Sequence, residues 1–161
     1  FRITLEDAYA DFRAAEARLE IEKDDPITAI KRLVSFTWKY YLDNPEFITL
    51  VNSENLHKAR HIRNSKRMRE MSRPFVGRMR DLLARGAAAG LFRADLDPVQ
   101  VNITIAATGY YYLTNRFTGS IVFERDLMSE SALAQRVDFN TRTILRMVCT
   151  PATLARIEAR A

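Results

Sequence analysis

Two histidines stand four positions apart in this 161-residue chain, and they are its only two. On a helix, His57 and His61 would lie on one face, with Glu54 one turn earlier on the same face. Two imidazoles and a carboxylate can hold zinc. The flanking Lys58 and Arg60 would repel a dication, and the glutamate that follows the first histidine of metalloproteases is missing. Two interpretations remain, a metal-binding or catalytic site and a surface or helix-end role for the histidines, and the second is favoured.

Other signatures of catalysis are missing from the sequence. The one cysteine, Cys149, lies at an apolar helix end and has no histidine after it, so we interpret it as a buried small hydrophobe. Spacing reveals no glycine-rich phosphate loop, no serine–histidine–aspartate arrangement and no paired carboxylates. We therefore predict that the chain is not an enzyme and carries no cofactor.

Another group of residues has the composition of a ligand pocket. Aromatic and methionine side chains recur on several predicted helices, and a few polar residues share their faces. A small-molecule site needs a mostly apolar cavity with a few orienting polar groups, but the same residues can form a plain core. Residue types alone leave both interpretations open. The set comprises Tyr9, Phe12, Trp38, Tyr41, Phe47, Met71, Phe75, Met79 and Tyr110, with the polar Glu54, Asn55, Arg78, Asn102 and Thr108.

Helical periodicity predicts an all-α fold of about six helices in a single domain over residues 1–161. The first helix is predicted over residues 2–22. Because Phe1 is apolar and uncapped, we expect that helix to continue from a larger protein. Asp25 should cap a second helix, at whose first position Pro26 stands.

The third and fourth helices are less regular. Asn44 and Pro45 should cap and open the third, which ends near residue 57, and the stretch that follows resists assignment. The fourth helix carries apolar residues at steps of three and four up to Leu83. It contains Pro74, which should either kink the helix or mark a later start near Ser72.

A helix–turn–helix junction follows in the middle of the chain. Gly90 suits the left-handed residue that ends a helix, Asp97 should cap the next one, and Pro98 stands at its first position. That next helix is predicted over residues 98–118, and its apolar residues occupy more than one face. Such a helix must be covered on both sides, so we expect one face to pack within this domain and another on a second subunit.

The rest of the chain predicts one more long helix, from Ser129 or Ser131 through Met147, and a terminal helical turn or two after Pro151. No apolar run approaches the ~20 residues that span a bilayer, and no signal peptide is visible. A single cysteine gives no sign of secretion. We expect a cytoplasmic protein that does not contact a membrane.

The net charge of +5 is unevenly distributed. The first predicted helix is acidic, whereas the segment from Lys58 to Arg80 is rich in lysine and arginine and has Glu70 as its one acid. One interpretation is a solvated helix face, paired with the acidic helix; the other is a surface that attracts phosphates, which would make the chain a basic nucleic-acid-binding module. The first is favoured because most charge runs are solvated.

Four segments, in this order, resemble parts of the regulatory domain of TetR-family transcription regulators. Residues 1–19 resemble the long helix that follows the recognition helix in those proteins, and residues 43–47 resemble the corner between its second and third helices. The junction over residues 85–98 resembles the one that follows the pocket helix. The apolar helix after Pro98 is similar to the first of two helices that build the dimer. The chain is thus identified as the effector-binding and dimerisation part of such a regulator, without the N-terminal DNA-binding unit.

The resemblance implies a homodimer joined through a four-helix bundle and a small-molecule effector, of unknown identity, bound between the helices. It places the dimer surface on the outward side of the helix after Pro98 and on residues 133–148. A ligand would tilt the first helix and release operator DNA that the missing N-terminal unit binds. The ligand-binding residues predicted from this resemblance and from the pocket composition are Phe12, Trp38, Tyr41, Phe47, Glu54, Asn55, Phe75, Arg78, Met79, Asn102, Ala106 and Tyr110.

Overall fold

The computed structural model describes residues 4–161 and folds them into eight α-helices, so the predicted all-α class is confirmed. The first helix is predicted from residue 2; residues 1–3 lie outside the described residues, and the helix begins at Leu5, where the Thr4 hydroxyl accepts a hydrogen bond from the Asp7 amide at 3.2 Å and caps it. None of the helices described here has the length and apolar content that crossing a membrane requires. The helices are α1 (Leu5–Ala17), α2 (Pro26–Asp43), α3 (Pro45–Leu56), α4 (Lys66–Ala88), α5 (Pro98–Thr114), α6 (Arg116–Val122), α7 (Glu130–Val148) and α8 (Pro151–Ala159).

Side-chain caps begin several of these helices at the predicted residues. Asp25, Asp97 and Ser129 each accept a hydrogen bond from an amide in the first turn of the helix that follows, at 3.0, 2.8 and 3.1 Å. Each bond satisfies an amide that the start of a helix leaves unpaired. Asn44 differs from the prediction: its side chain donates to the Tyr40 carbonyl at 2.9 Å, so it closes α2 and does not cap α3.

The first helix is shorter than predicted. α1 ends at Ala17, and Glu20 then adopts a left-handed backbone conformation with a φ of 51°. A 3₁₀ turn follows and buries Ile21 in the core. Arg85 of α4 donates hydrogen bonds to the carbonyls of Ile21 and Asp24, at 3.1 and 3.0 Å. These contacts with a distant helix stabilise the turn, and local periodicity could not reveal them.

The helix after Pro98 is also shorter than predicted. α5 stops at Asn115, whose side chain donates to the Tyr111 carbonyl at 2.9 Å, and α6 follows as a separate helix. Gly119 lies inside α6 and does not end a helix; a Cβ at this position would come within 2.8 Å of the Leu127 side chain. The separate α6, together with a full α8, accounts for the two helices beyond the predicted six.

α4 begins at its Ser65 cap and runs through Pro74, so a later start near Ser72 is wrong. The Ser65 hydroxyl accepts a hydrogen bond from the Met68 amide at 3.1 Å. The segment before it, which resisted assignment, forms a series of turns. The first turn has two successive left-handed residues, Lys58 and Ala59, each with a φ of 57°.

The junction after α4 has the predicted geometry. Gly90 has a φ of +71°, and the amides of Leu91 and Phe92 bond to the Gly86 carbonyl at 2.9 and 3.1 Å. Phe92 thereby folds back onto the helix that has just ended, and it forms an isolated backbone bridge with Cys149. Cys149 is buried, as predicted.

Two clusters of buried side chains hold the helices around α2, which packs against α3, α4, α5 and α7. The larger cluster is mostly aliphatic and includes Ile30, Leu33, Val34, Met79, Leu82, Val101, Ile144 and Val148. The smaller cluster is mostly aromatic and is built on Ala8, Phe12, Trp38, Tyr41, Phe47, Ile48 and Leu113.

Candidate functional site

A cavity of about 220 Å³ lies within the aromatic cluster, where α1, α2, α3 and α5 meet. We refer to it as the cavity beneath α1. Half of the predicted ligand-binding residues line it: Phe12, Tyr41, Phe47, Asn102, Ala106 and Tyr110. The other lining residues are Tyr9, Arg13, Glu16, Thr37 and Val51. The cavity is thus walled by aromatic rings and also contains one acid and one base.

Three nearly parallel rings form the apolar wall of the cavity. Phe12 of α1 stacks on Phe47 of α3 with centroids 5.3 Å apart, and Tyr41 of α2 stacks on Phe47 at 5.9 Å. The interplanar angles are 27° and 14°. Each helix contributes its ring from the stripe that faces the core, so three separate elements determine this geometry.

α5 forms the opposite wall. Asn102, Ala106 and Tyr110 recur every four residues and therefore lie along one face of the helix. Ala106 contributes only a methyl group, which leaves space beside it. The Tyr110 hydroxyl donates a hydrogen bond to the Asn52 side chain and so ties α5 to α3 beside the cavity.

The charged part of the cavity comes from α1. Arg13 Nη1 donates to Glu16 Oε1 at 2.8 Å, and Glu16 is 3% exposed. The guanidinium also lies over the rings of Phe12 and Phe75, at 5.1 and 4.3 Å from their centroids. Arg13 Nε is buried and has no hydrogen-bond partner among residues 4–161.

Burial changes the proton affinity of the groups in the cavity. It raises the pKa of Glu16 above its ordinary value of 4.5, although Arg13 and Arg78 act in the opposite direction. Burial likewise raises the pKa values of Tyr9 and Tyr41, whose phenols therefore stay protonated at neutral pH. The cavity accordingly offers hydroxyl donors and one carboxyl group that takes a proton more readily than an exposed glutamate does.

The structure places the other predicted ligand-binding residues outside this cavity. Trp38 packs edge-on against Tyr112, with centroids 5.6 Å apart. Phe75 and Met79 belong to the aliphatic core cluster. Arg78 pairs with Glu22 through a hydrogen bond from its Nε.

The remaining two predicted polar residues lie near the histidines. Asn55 donates to the Val51 carbonyl at 2.9 Å on its own helix. Glu54 accepts hydrogen bonds from the backbone amide and Nδ1 of His61, at 2.7 and 2.8 Å, and so closes the turns after α3. His57 Nδ1 lies 2.7 Å from the Ser53 carbonyl. Residues 4–161 contain no group of three side chains arranged to hold a metal ion.

Sequence reasoning missed Arg13 and Glu16, which carry the charge of the cavity. In the sequence, Glu16 is one of the acids that make the first predicted helix acidic. Its spacing contained a signal, because it stands four residues after Phe12 and eight after Ala8, within the apolar stripe of α1. An acid inside such a stripe indicates a buried carboxyl group with a specific partner.

Three larger grooves lie elsewhere on the surface. One, of about 620 Å³, lies between the start of α1 and the turns after α3 and is lined by Glu6, Glu54, His57 and His61. Another, of about 520 Å³, runs between α2, α7 and α8. The third, of about 510 Å³, lies between α5, α6 and α7. All three are more open to solvent than the cavity beneath α1, which contains a buried ion pair.

The basic segment is partly paired with α1, as the favoured interpretation predicts. Arg67 forms ion pairs with Asp7 at 2.9 Å and Glu6 at 3.6 Å, and the Ser65 hydroxyl donates to Glu6. These contacts join the first turn of α1 to the start of α4. Other basic residues of the segment are exposed, namely Lys58, Arg60, Arg63, Lys66, Arg69, Arg73 and Arg80.

An apolar surface covers the outer sides of α5, α6 and α7. We refer to it as the α5–α7 apolar surface; its exposed members are Val99, Ile103, Tyr111, Phe117, Ile121, Val122, Phe123 and Phe139. Leu133 and Val137, which the resemblance included in the dimer region, are partly buried and pack on the aromatic cluster of their own chain. Eight large hydrophobic side chains exposed on α5 and on the two helices that pack against it are unusual for a monomer.

Comparison with known proteins agrees with this architecture. Residues 26–144, which run from the start of α2 into α7, match the family model of the tetracyclin repressor-like C-terminal domain. The chain is also 39% identical over 146 residues to the HTH-type transcriptional repressor NicS of Pseudomonas putida. That alignment covers 91% of this chain and 69% of the relative.

Proposed function

Because this chain belongs to the tetracyclin repressor-like (TetR) C-terminal domain family, we propose that it senses a small-molecule effector in the cavity beneath α1. In this proposal the chain also dimerises, and the intact regulator represses transcription in the cytoplasm by binding operator DNA through a separate N-terminal unit. The proposal assigns no catalytic step to the chain.

The observation that carries this proposal is the composition of the cavity wall. Four helices contribute aromatic rings, one small residue and a buried ion pair to a single, partly enclosed space. Ligand sites in proteins have this character, with apolar walls and a few polar groups that orient the ligand. A plain core would contain neither an unpaired guanidinium nitrogen nor a buried carboxyl group.

α1 connects the cavity to the rest of the regulator. It contributes Phe12, Arg13 and Glu16 to the wall, while its first turn is joined to α4 through Arg67 and Ser65. A ligand that enlarges the cavity displaces α1 and thereby weakens the contacts of its first turn with Arg67 and Ser65. The regulator then shifts toward a state whose DNA-binding units no longer match the operator, as in other two-state switches.

The second copy of the chain covers the α5–α7 apolar surface. A stable homodimer buries roughly 1,200 Å² or more in total and centres on apolar side chains. Val99, Ile103 and Tyr111 stand on the outer face of α5, and α6 extends that face. Symmetry of the dimer would then set the spacing of the two operator half-sites.

Filling the cavity tests the proposal. We expect Ala106→Trp to occupy the space beside α5 and to abolish effector-dependent operator release by the intact regulator, while operator binding without effector persists. The matched control is Ala155→Trp on the exposed side of α8, which should leave the response unchanged. Operator release is measured by fluorescence anisotropy of labelled DNA, with thermal denaturation to verify folding. A normal response in a folded Ala106→Trp variant would refute the assignment of this cavity.

A further inference from the structure

The volume of the cavity limits its ligand to about one ring. An engineered apolar cavity of roughly 150 Å³ holds one benzene molecule, and drug-sized ligands occupy pockets of about 300 Å³ or more. At about 220 Å³ the cavity has room for one ring with a small substituent. The parallel rings of Phe12, Tyr41 and Phe47 favour a flat one.

Arg13 has hydrogen-bond donors that the described residues leave unused. Its bond to Glu16 uses Nη1, whereas Nε is buried without a partner. The edge formed by Nε and Nη2 is one that can take both oxygens of a carboxylate side-on. A buried donor without a partner is unfavourable, so an acceptor placed there gains more than it would at an exposed arginine. The free edge therefore favours a ligand that carries a carboxylate.

A ligand carboxylate at this edge would share the guanidinium with Glu16. Two carboxylates so close together in a buried site cannot both stay ionised at low cost, so one of them takes a proton. Glu16 is the group already predisposed to do so, because burial raises its pKa. The ionisable groups around it are Arg13 on α1, Arg78 on α4, the phenols of Tyr9 and Tyr41, and the Tyr110 phenol of α5.

We propose, on the premise that this cavity is the effector site, that its ligand is a monocyclic carboxylate that binds the Nε–Nη2 edge of Arg13 while Glu16 takes up one proton. The proton comes from solvent and stays on the Glu16 carboxyl group. Arg13 keeps its positive charge and the ligand supplies the negative charge, so the net charge of Arg13, Glu16 and the bound ligand together is zero. A neutral ligand would leave Glu16 ionised, and a cationic ligand would leave Nε unpaired.

Calorimetry of this chain with matched pairs of compounds tests the proposal. The probes are benzoate, phenylacetate and cyclohexanecarboxylate, each titrated beside its own carboxamide, which has nearly the same shape and no charge. We expect at least one carboxylate to bind, about tenfold or more tighter than its carboxamide, because charge-assisted bidentate bonds are the stronger kind. Titrations in phosphate and in Tris, whose ionisation enthalpies differ, should show uptake of about one proton per bound carboxylate.

Two variants separate this proposal from a merely structural role of the ion pair. Glu16→Gln imitates the protonated carboxyl group, so carboxylate binding should proceed without proton uptake and should no longer weaken as pH rises from 6 to 8. Arg13→Lys keeps the charge but loses the two-donor edge, and it should weaken carboxylate binding about tenfold while carboxamide binding is unchanged. Arg18→Lys, exposed at the end of α1, is the control.

Equal binding of carboxylates and carboxamides, carboxylate binding without proton uptake, or no binding of any carboxylate probe would each overturn this proposal. The measurement of proton uptake uses the unaltered chain, so it does not depend on whether the variants fold. If neutral probes bind and Ala106→Trp blocks them, the cavity remains the effector site and only the ligand class is wrong. If probes bind and Ala106→Trp leaves binding intact, the cavity assignment itself fails.

Discussion

Gly86 in α4 lies directly beneath the ring of Phe92. A Cβ at position 86 would stand 1.9 Å from Phe92 Cδ2, far inside contact distance. The ring cannot move aside easily, because Phe92 is buried and its amide bonds to the Gly86 carbonyl. We predict that Gly86→Ala lowers the free energy of unfolding by about 1–3 kcal/mol, as overpacking of a core does. Urea denaturation followed by circular dichroism measures the loss.

Gly77 of the same helix provides the control. A Cβ there would meet no heavy atom within 4 Å. Alanine has the higher helix propensity, so Gly77→Ala should raise the free energy of unfolding by about 0.5–1 kcal/mol. Similar losses in both variants would show that contact with Phe92 is not the cause.

Residue types predict the aromatic wall of the cavity better than its charged part. Phe12, Tyr41 and Phe47 fall on apolar helical stripes, so periodicity alone places them inward. Arg13 and Glu16 were not predicted, because charged residues on an amphipathic helix ordinarily face solvent. Arg78 was assigned to the pocket for its type, but its partner Glu22 lies in a turn whose existence depends on tertiary contacts.

At the scale of elements, the turn between α1 and α2 depends on a helix far away in sequence. Arg85 of α4 donates hydrogen bonds to the carbonyls of Ile21 and Asp24 in this turn, and the Ile21 carbonyl also accepts one from the Asp24 amide at 3.3 Å. We predict that Arg85→Met lowers the free energy of unfolding by about 1–3 kcal/mol, because two hydrogen bonds from a charged donor are lost. Chemical denaturation of the purified chain gives the value.

The control for this prediction is Arg80→Met, on the exposed side of the same helix. Arg80→Met removes the same positive charge but no hydrogen bond to the turn. We expect it to change the free energy of unfolding by no more than about 0.5 kcal/mol. If both variants lose the same stability, charge and not the two carbonyl contacts explains the effect.

Helix starts were predicted more accurately than helix ends. Asp25, Asp97 and Ser129 have local signals, since a cap bonds to amides two or three residues later in the chain. The ends of α1 and α5 have weaker local signals. The turn that follows α1 is held by Arg85 of a distant helix, and α5 is closed by the Asn115 side chain within an otherwise apolar run.

At the scale of the whole molecule, the proposed homodimer depends on the α5–α7 apolar surface. Ile103 stands at the centre of the outer face of α5 and is 53% exposed. We predict that Ile103→Glu weakens the homodimer by about thirtyfold or more, because a charge would be buried without a partner in the middle of the interface. Sedimentation velocity over a concentration series measures the dissociation constant.

Leu56 at the end of α3 provides the matched control, since it is 80% exposed but lies outside the α5–α7 apolar surface. Leu56→Glu should leave the dissociation constant unchanged. A monomeric unaltered chain at micromolar concentration, or equal weakening by both substitutions, would show that this surface is not the dimer interface.

The most direct test of the account is a crystal structure of this chain grown with the compound that releases the intact regulator from its operator. We predict density for that compound between Phe12, Tyr41 and Phe47, within hydrogen-bond distance of Arg13. Density in the groove between α2, α7 and α8 instead, with the cavity beneath α1 empty, would contradict the account.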